Sequence, residues 1–298
     1  MEYNIAVLMS TYNGIKYIDE AIRSIMNQTV QCDLYIRDDG SDADFINHLK
    51  QYENSNKRIK VFVEKNIGPA KSFLALLKKV NKYDYYAFAD QDDYWLPEKL
   101  EKAINQFHHV AVGKPGLYCS KLTVTDSKLN IIRGNYGSVQ TDNLFSNIFR
   151  STITGCTVVI NDSLRVLVNK SNPTEIIMHD QWISIVAAAA KSFFFFDKNS
   201  YILYRQHENN VVGANNIVNR FRHSVLFNNN NNRRYQLGEL IKNYPELFNE
   251  SEYERLNDLL NYGSKNIIQR IVLASSIYRE QPECISITDI ISIILRRF

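Results

Sequence analysis

The sequence is sparing in the features that mark small stapled folds, membrane spans and nucleic-acid binders. Its 298 residues contain only four cysteines, Cys32, Cys119, Cys156 and Cys284. They lie far apart and form no CxxC pair, which argues against a structural zinc site. Cys119 and Cys156 each sit in an apolar stretch and read as small core residues, so nothing requires an oxidising compartment. No uncharged apolar run approaches the roughly 20 residues that span a bilayer. Residues 1–10 lack a basic region followed by a long apolar stretch, so no secretory leader is expected and the cytoplasm is the expected compartment. There is no long basic run interleaved with aromatics, and the net charge is only +3, so nucleic acid is not an expected partner. No internal repeat is visible. What remains is 45% hydrophobic, enough for one sizeable core or for a large domain with a small appendage.

The first half alternates between two periodicities. Ile5-Ala6-Val7-Leu8-Met9 is a continuous apolar run, the pattern of a strand buried on both faces. Ile18, Ala21, Ile22, Ile25 and Met26 then form a helical stripe. Further strands are expected at 33–37, 59–63 and 85–89. Helices are expected after Ser41, which resembles a capping box with Asp44, then at 70–80, and from Pro97 as first helical residue. This order predicts an α/β fold with a mostly parallel sheet flanked by helices on both faces. Residues 122–133 read as a hairpin turning at Asp126-Ser127-Lys128, residues 152–160 as β-rich, residues from Asp180 as a helix, and residues 193–204 as strands. Four consecutive phenylalanines, Phe193 to Phe196, read as a buried strand. Beyond Asn215 the pattern turns helical after the polar run Asn228 to Asn232. The expected division is therefore 1–214, a catalytic domain, and 215–298, a helical C-terminal extension.

In parallel sheets ligands bind beyond the carboxyl ends of the strands. Three polar clusters fall there: Ser10-Thr11-Tyr12-Asn13-Gly14, Arg37-Asp38-Asp39-Gly40-Ser41 and Asp90-Gln91-Asp92-Asp93. Any single aspartate among them is explained as a turn or cap residue. Three clusters on successive strand ends point instead to a ligand site. Adjacent carboxylates repel unless they share a positive charge. The Asp90-Gln91-Asp92 spacing suits a hard divalent cation, Mn²⁺ or Mg²⁺, which prefers one or two carboxylates plus phosphate oxygens. Such a metal would neutralise a diphosphate and act as a Lewis acid on a departing phosphate.

These motifs, with Asn66-Ile67-Gly68, resemble in order those of the family 2 glycosyltransferases of GT-A fold, the nucleotide-diphospho-sugar transferase architecture. Residues 88–97 and 204–210 resemble the bacterial rhamnosyltransferase-like branch, and the resemblance covers residues 3 to 215. It implies that Thr11, Tyr12 and Asn13 line the nucleotide pocket and that Asp39 binds the base. It further implies that Asn66, Gly68, Lys71, Asp90 and Gln91 lie near the nucleotide sugar, and that Asp92 ligates the metal. His207 matches a position where similar enzymes place another metal or diphosphate contact; a hydrogen-bonded surface histidine is the competing reading. Asp180, opening a helix, matches the base that deprotonates the acceptor hydroxyl in inverting enzymes. His179 stands where many relatives are acidic, which leaves open that the histidine assists or replaces Asp180. Trp182 reads either as a sugar-stacking acceptor platform or as core, and Trp95 as structural.

The resemblance implies transfer of one sugar from a nucleotide-diphosphate donor, dTDP-rhamnose or a UDP-hexose, to a saccharide or lipid-linked saccharide in bacterial surface-polysaccharide assembly. The QxxRW-type motif and membrane spans of processive relatives are absent, so a single addition is expected. A sugar-phosphate nucleotidyltransferase would need a Gly- and basic-rich loop after the first strand, which residues 10–14 do not supply. A catalytically silent sugar-nucleotide-binding scaffold is disfavoured by the intact Asp92 and Asp180. The isoleucine-rich tail, ending Arg296-Arg297-Phe298, fits packing on its own domain, a homodimer contact, or peripheral attachment to a membrane interface.

Overall fold

The computed structural model describes residues 3–137, 142–149, 153–207, 230–280 and 287–295. The first four strands, β1 (Ile5–Thr11), β2 (Asp33–Asp38), β3 (Ile59–Val63) and β4 (Tyr85–Asp90), are parallel in the order β3-β2-β1-β4. Alternation along β1 explains why the whole run is apolar. Ile5, Val7 and Met9 enter one core with α1 (Ile18–Met26) and α4 (Lys99–Phe107). Ala6 and Leu8 enter the opposite core with α3 (Pro69–Lys79). The helix α2 (Ala43–Ser55) adds Phe45 and Leu49 to the first of these layers.

The second half of the sheet is built differently. β8 (Val159–Asn161) lies antiparallel to β4, β6 (Gly116–Thr125) antiparallel to β8, and β9 (Phe193–Arg205) parallel to β6. β7 (Ile131–Tyr136) closes the expected hairpin on β6. The short β5 (Tyr94–Trp95) pairs antiparallel with the end of β9, Tyr94 opposite Leu203 and Trp95 opposite Ile202. That last pairing carries the exit of β9 to the acidic loop after β4. α5 (Leu144–Phe149), α6 (Asp162–Val168) and α7 (His179–Ala189) cover the second core.

Several local expectations are corrected. The cap of α2 is Asp42, whose side chain accepts from the Phe45 N–H at 2.9 Å. Ser41 is already engaged with Asp38. Pro97 precedes α4 instead of starting it, since the helix runs from Lys99. The β-rich segment before residue 160 is largely a 3₁₀ turn, Gly155–Thr157, with β8 only three residues long. Residues 193–204 form one long strand, and the four phenylalanines in it are half-buried.

The C-terminal helices are α8 (Asn230–Asn243), α9 (Glu250–Leu260), α10 (Ile267–Glu280) and α11 (Ile287–Ile294). The expected boundary at 214/215 and the tail residues Arg296 to Phe298 lie outside the described residues. Leu237, Leu240, Tyr244, Leu256, Ile277 and Ile293 share one continuous core with Trp182, Ile183 and Val186 of α7. The Tyr244 hydroxyl donates to the Leu167 carbonyl at 2.9 Å. α11 buries Ile293 completely, so the tail's inner face packs on the rest of the chain. Ile267, Ile268, Val272, Ile287 and Ile291 of the last two helices face outward. Among the described residues no helix is long and apolar enough to cross a membrane.

Candidate active site

Parallel pairing places the polar clusters side by side. Ser10 lies in register with Asp90 and Thr11 with Asp38. The Ser10 hydroxyl donates to the Ser72 hydroxyl at 2.6 Å. The Tyr12 N–H donates to Gln91 Oε1 at 2.9 Å, and Gln91 Nε2 donates to the Tyr12 carbonyl at 3.1 Å. Gly14 permits this approach, because a Cβ there would stand 2.3 Å from Gln91 Oε1. Asn13, with φ 46°, donates its N–H to the Ser41 hydroxyl at 2.9 Å and accepts from the Asp42 N–H at 3.0 Å. Tyr12 and Asn13 remain exposed at the rim, as do Asn66 and Lys71.

The second cluster is organised from beneath by Arg37, which is buried. Its guanidinium pairs with Asp39, reaches Glu64 at 3.2 Å, and donates to the Lys65 carbonyl and the Ser72 hydroxyl. Asp39 in turn accepts the N–H groups of Ile67 at 3.0 Å and Gly68 at 2.9 Å. These bonds fix the 66–68 loop, where Gly68 takes a φ of 81° that a side chain would strain. Asp38 accepts from the Thr11 hydroxyl at 3.1 Å and from the Gly40 and Ser41 backbone.

Two predicted nucleotide contacts are therefore closed off in this structure. Asp39 is 3% exposed with both oxygens engaged, and Thr11 is 1% exposed with its hydroxyl on Asp38. Each is at the predicted strand end, but its side chain shapes the rim from below. Tyr12, Asn13, Asn66 and Lys71 are exposed at this edge, and Gln91 and Gly68 are half-buried there.

The third cluster is where negative charge accumulates. Asp90 and Asp92 are half-buried and Asp93 is buried. Burial, and then the neighbouring Asp92 and Asp180, push the Asp90 carboxyl up to about 7. Asp93 is also pushed up, by burial and then by Asp92 and Asp90. Asp93 Oδ2 is buried without a hydrogen-bond partner. The repulsion shows that Asp180, far along the chain, has been brought to the acidic loop. Its carboxylate accepts the Gln181 N–H at 2.7 Å in the first turn of α7. Beneath the loop lies Lys99, whose ammonium is buried 3.6 Å above the Trp95 ring and whose pKa burial lowers to about 8.

His207 arrives by the β9–β5 pairing, and its Nε2 stands 2.8 Å from Asp92 Oδ2. One ligand atom each from Asp90, Asp93 and Cys156 also lie within 4.8 Å of one another. Burial raises the Cys156 thiol far above its ordinary value, and sulfur is a soft donor poorly matched to a hard cation. By donor type the oxygen and imidazole pair Asp92 and His207 suits Mn²⁺ or Mg²⁺ better.

Trp182 and His179 are corrected outright. Trp182 is 0% exposed in the core, with its ring centroid 6.4 Å from that of Tyr244, so it offers no face to an acceptor. His179 stacks on Phe73 at 4.0 Å, and burial lowers its pKa to about 3. A proton on it is disfavoured. Sequence reasoning passed over the supports Ser72 and Lys99, and named Arg37, Asp38 and Arg205 only as members of motif segments, with no supporting role. Their signal was a charged or hydroxyl residue inside an otherwise apolar element.

The buried histidine carries an acid-stability prediction. Its folded pKa of about 3 lies below the ordinary 6.5, so between those values the unfolded chain binds a proton that the folded chain refuses. Stability from this group is complete above about pH 6.5 and falls as pH drops, by up to ~1.4 kcal/mol per pH unit. Urea unfolding of His179→Gln between pH 4 and 7 is expected to show a shallower acid decline than the wild type. An identical slope would place the protonation elsewhere.

A cavity of about 660 Å³ sits at the opposite end of the strands, lined by Tyr3, Asn4, Cys32, Asp33, Tyr83 and Glu101 among others. It contains none of the candidate residues, which gather at the carboxyl ends of the strands.

Residues 6–165 match the family described as Glycosyl transferase family 2. The chain is 31% identical over 221 residues to dTDP-rhamnosyl transferase RfbG of Shigella flexneri, covering 70% of this chain and 74% of that protein. Among solved structures it is similar to S. aureus TarS 1-349 in complex with UDP-GlcNAc. There the TM-score is 0.53 at 17% identity, covering 98% of this chain and 90% of that one. It is also similar to the mannosyltransferase PcManGT from Pyrobaculum calidifontis in complex with GDP-Man and Mn²⁺. There the TM-score is 0.53 at 13% identity, covering 99% and 79%.

Proposed function

The chain belongs to glycosyl transferase family 2, and from that premise we propose that it moves one sugar from a nucleotide-diphosphate donor to a saccharide hydroxyl with inversion. That it is a glycosyltransferase of GT-A fold follows from the family and the structural neighbours. The finer reading is carried by one observation. Asp92 and Asp180 are brought close enough to Asp90 to disfavour its charge at the strand ends, beside the Asp92–His207 contact at 2.8 Å and the exposed Tyr12–Asn13 loop.

Tyr12, Asn13, Asn66, Gly68 and Lys71 form the donor side of the cleft, and the Tyr12–Gln91 pair joins it to the acidic loop. Asp92 and His207 would hold a divalent cation. When bound, that ion neutralises the diphosphate and stabilises the departing phosphate as a Lewis acid. Asp180 accepts the proton of the acceptor hydroxyl. The hydroxyl oxygen bonds to the anomeric carbon, the carbon–phosphate oxygen bond breaks, and the nucleoside diphosphate leaves with the electron pair. Attack from the face opposite the leaving group inverts the configuration.

The similarity to RfbG supports dTDP-rhamnose as donor, ahead of UDP-hexoses; the proposed acceptor is a lipid-linked or free saccharide of a surface polysaccharide. A melting screen of nucleotide sugars with Mn²⁺ tests this, because a ligand that binds only the folded state raises its stability. At 100 times its dissociation constant the matching donor adds about 2.7 kcal/mol. dTDP-rhamnose is expected to give the largest rise. No rise with any nucleotide sugar would remove the donor assignment.

A further inference from the structure

We infer that Arg205 is a positioning residue that fixes the metal-holding pair Asp92–His207, an assignment that rests on the proposed metal reading. Arg205 is the last residue of β9 and is 2% exposed. Its backbone N–H donates to Asp93 Oδ1 at 3.0 Å. Its guanidinium spreads over three other segments. Nε donates to the Asp92 carbonyl at 2.8 Å, Nη1 donates to the Ser127 carbonyl at 2.7 Å, and Nη2 pairs with Glu20 of α1. The guanidinium also lies 4.5 Å from the centre of the Tyr17 ring, and that ring lies 4.9 Å from the ring of His207.

The consequence is geometric. Arg205 grips the acidic loop by the carbonyl of Asp92 and the carboxylate of Asp93. The Asp92 carboxylate meets His207, two residues beyond Arg205 on the same strand exit. Tyr17 touches both the guanidinium and the imidazole and so sets their spacing. One side chain thus holds two candidate ligands that lie 115 residues apart in sequence. Only a planar fork with several donors reaches a carbonyl on each of two loops and a carboxylate on a helix at once. A lysine supplies the charge without the fork.

The test is Mn²⁺ binding to the donor-free enzyme, followed by electron paramagnetic resonance, with melting measured alongside. Arg205→Gln and Arg205→Lys are both expected to weaken Mn²⁺ binding about 10–100-fold, the usual cost of losing a residue that orients metal ligands. Unchanged Mn²⁺ affinity with only a lower melting temperature would overturn the inference, as would full affinity in Arg205→Lys. Should the Arg205 variants fail to fold, Glu20→Ala decides, since the Glu20 side chain is 53% exposed and its loss frees one arm of the fork. A weaker Mn²⁺ affinity of the same sign supports the inference and an unchanged one overturns it. If the wild type itself binds no Mn²⁺, the metal reading fails. The ¹⁵N shifts of the His207 ring then judge the clamp. Loss of their Asp92-bonded signature in Arg205→Gln upholds it, and identical shifts overturn it.

Discussion

Asp180→Asn is expected to lower kcat by about 10²–10⁴-fold, the usual contribution of a positioned general base, while the donor dissociation constant changes less than about threefold. The substitution is nearly isosteric. An asparagine Oδ1 still accepts the Gln181 N–H that the carboxylate now accepts at 2.7 Å, so the start of α7 is preserved. What is lost is the ability to take a proton. The neighbouring His179 does not replace it, because its ring is stacked on Phe73 and burial holds it neutral. Steady-state kinetics with a radiolabelled donor, and calorimetry for donor affinity, separate these effects. Turnover equal to the wild type would take Asp180 out of the mechanism.

Asp92→Asn is expected to cost as much by a different route. It removes a carboxylate from the candidate metal set and leaves His207 beside a neutral amide where it now faces a carboxylate at 2.8 Å. A Lewis acid at a departing phosphate is worth several kcal/mol, so activity should fall by about 10²–10⁴-fold. The same loss should follow when a chelator is added to the wild type, and Mn²⁺ or Mg²⁺ should restore it. Asp92→Asn should regain little at any metal concentration. Full transfer activity in excess chelator would end the metal reading and leave the acidic loop without a counter-charge from solution.

The two variants fail differently by design of the site. Asp180 acts on the acceptor proton, whereas Asp92 acts on the donor phosphates. A loss of kcat with intact donor binding points to the first, and a loss coupled to metal concentration points to the second.

Much of this architecture could be read from residue order. The run Ile5 to Met9 had to be a strand buried on both faces, because a half-exposed strand would alternate. Polar clusters directly after β1, β2 and β4 had to meet, because parallel neighbours end on the same edge. Asp90, Asp92, Tyr12 and Gln91 therefore follow from periodicity and position alone. The resemblance added Asp180 and His207, whose distance in sequence hides their proximity.

Burial and long-range pairing were decided elsewhere. Nothing local distinguishes Trp182, sealed against Tyr244, from a tryptophan open to a sugar, because the helices that cover it come some 50 residues later. Thr11 and Asp39 look like ligand contacts until Arg37, Asp38 and the 66–68 backbone consume their hydrogen bonds. The sequence by itself determined the parallel sheet, its helical layers and the edge at which the chemistry gathers, since those depend on short-range period and strand polarity. Only the tertiary structure decided which of the gathered groups face solvent and that Arg205 and His207 close on Asp92. Those outcomes depend on the antiparallel return of β9 onto β5, a contact between segments more than 100 residues apart.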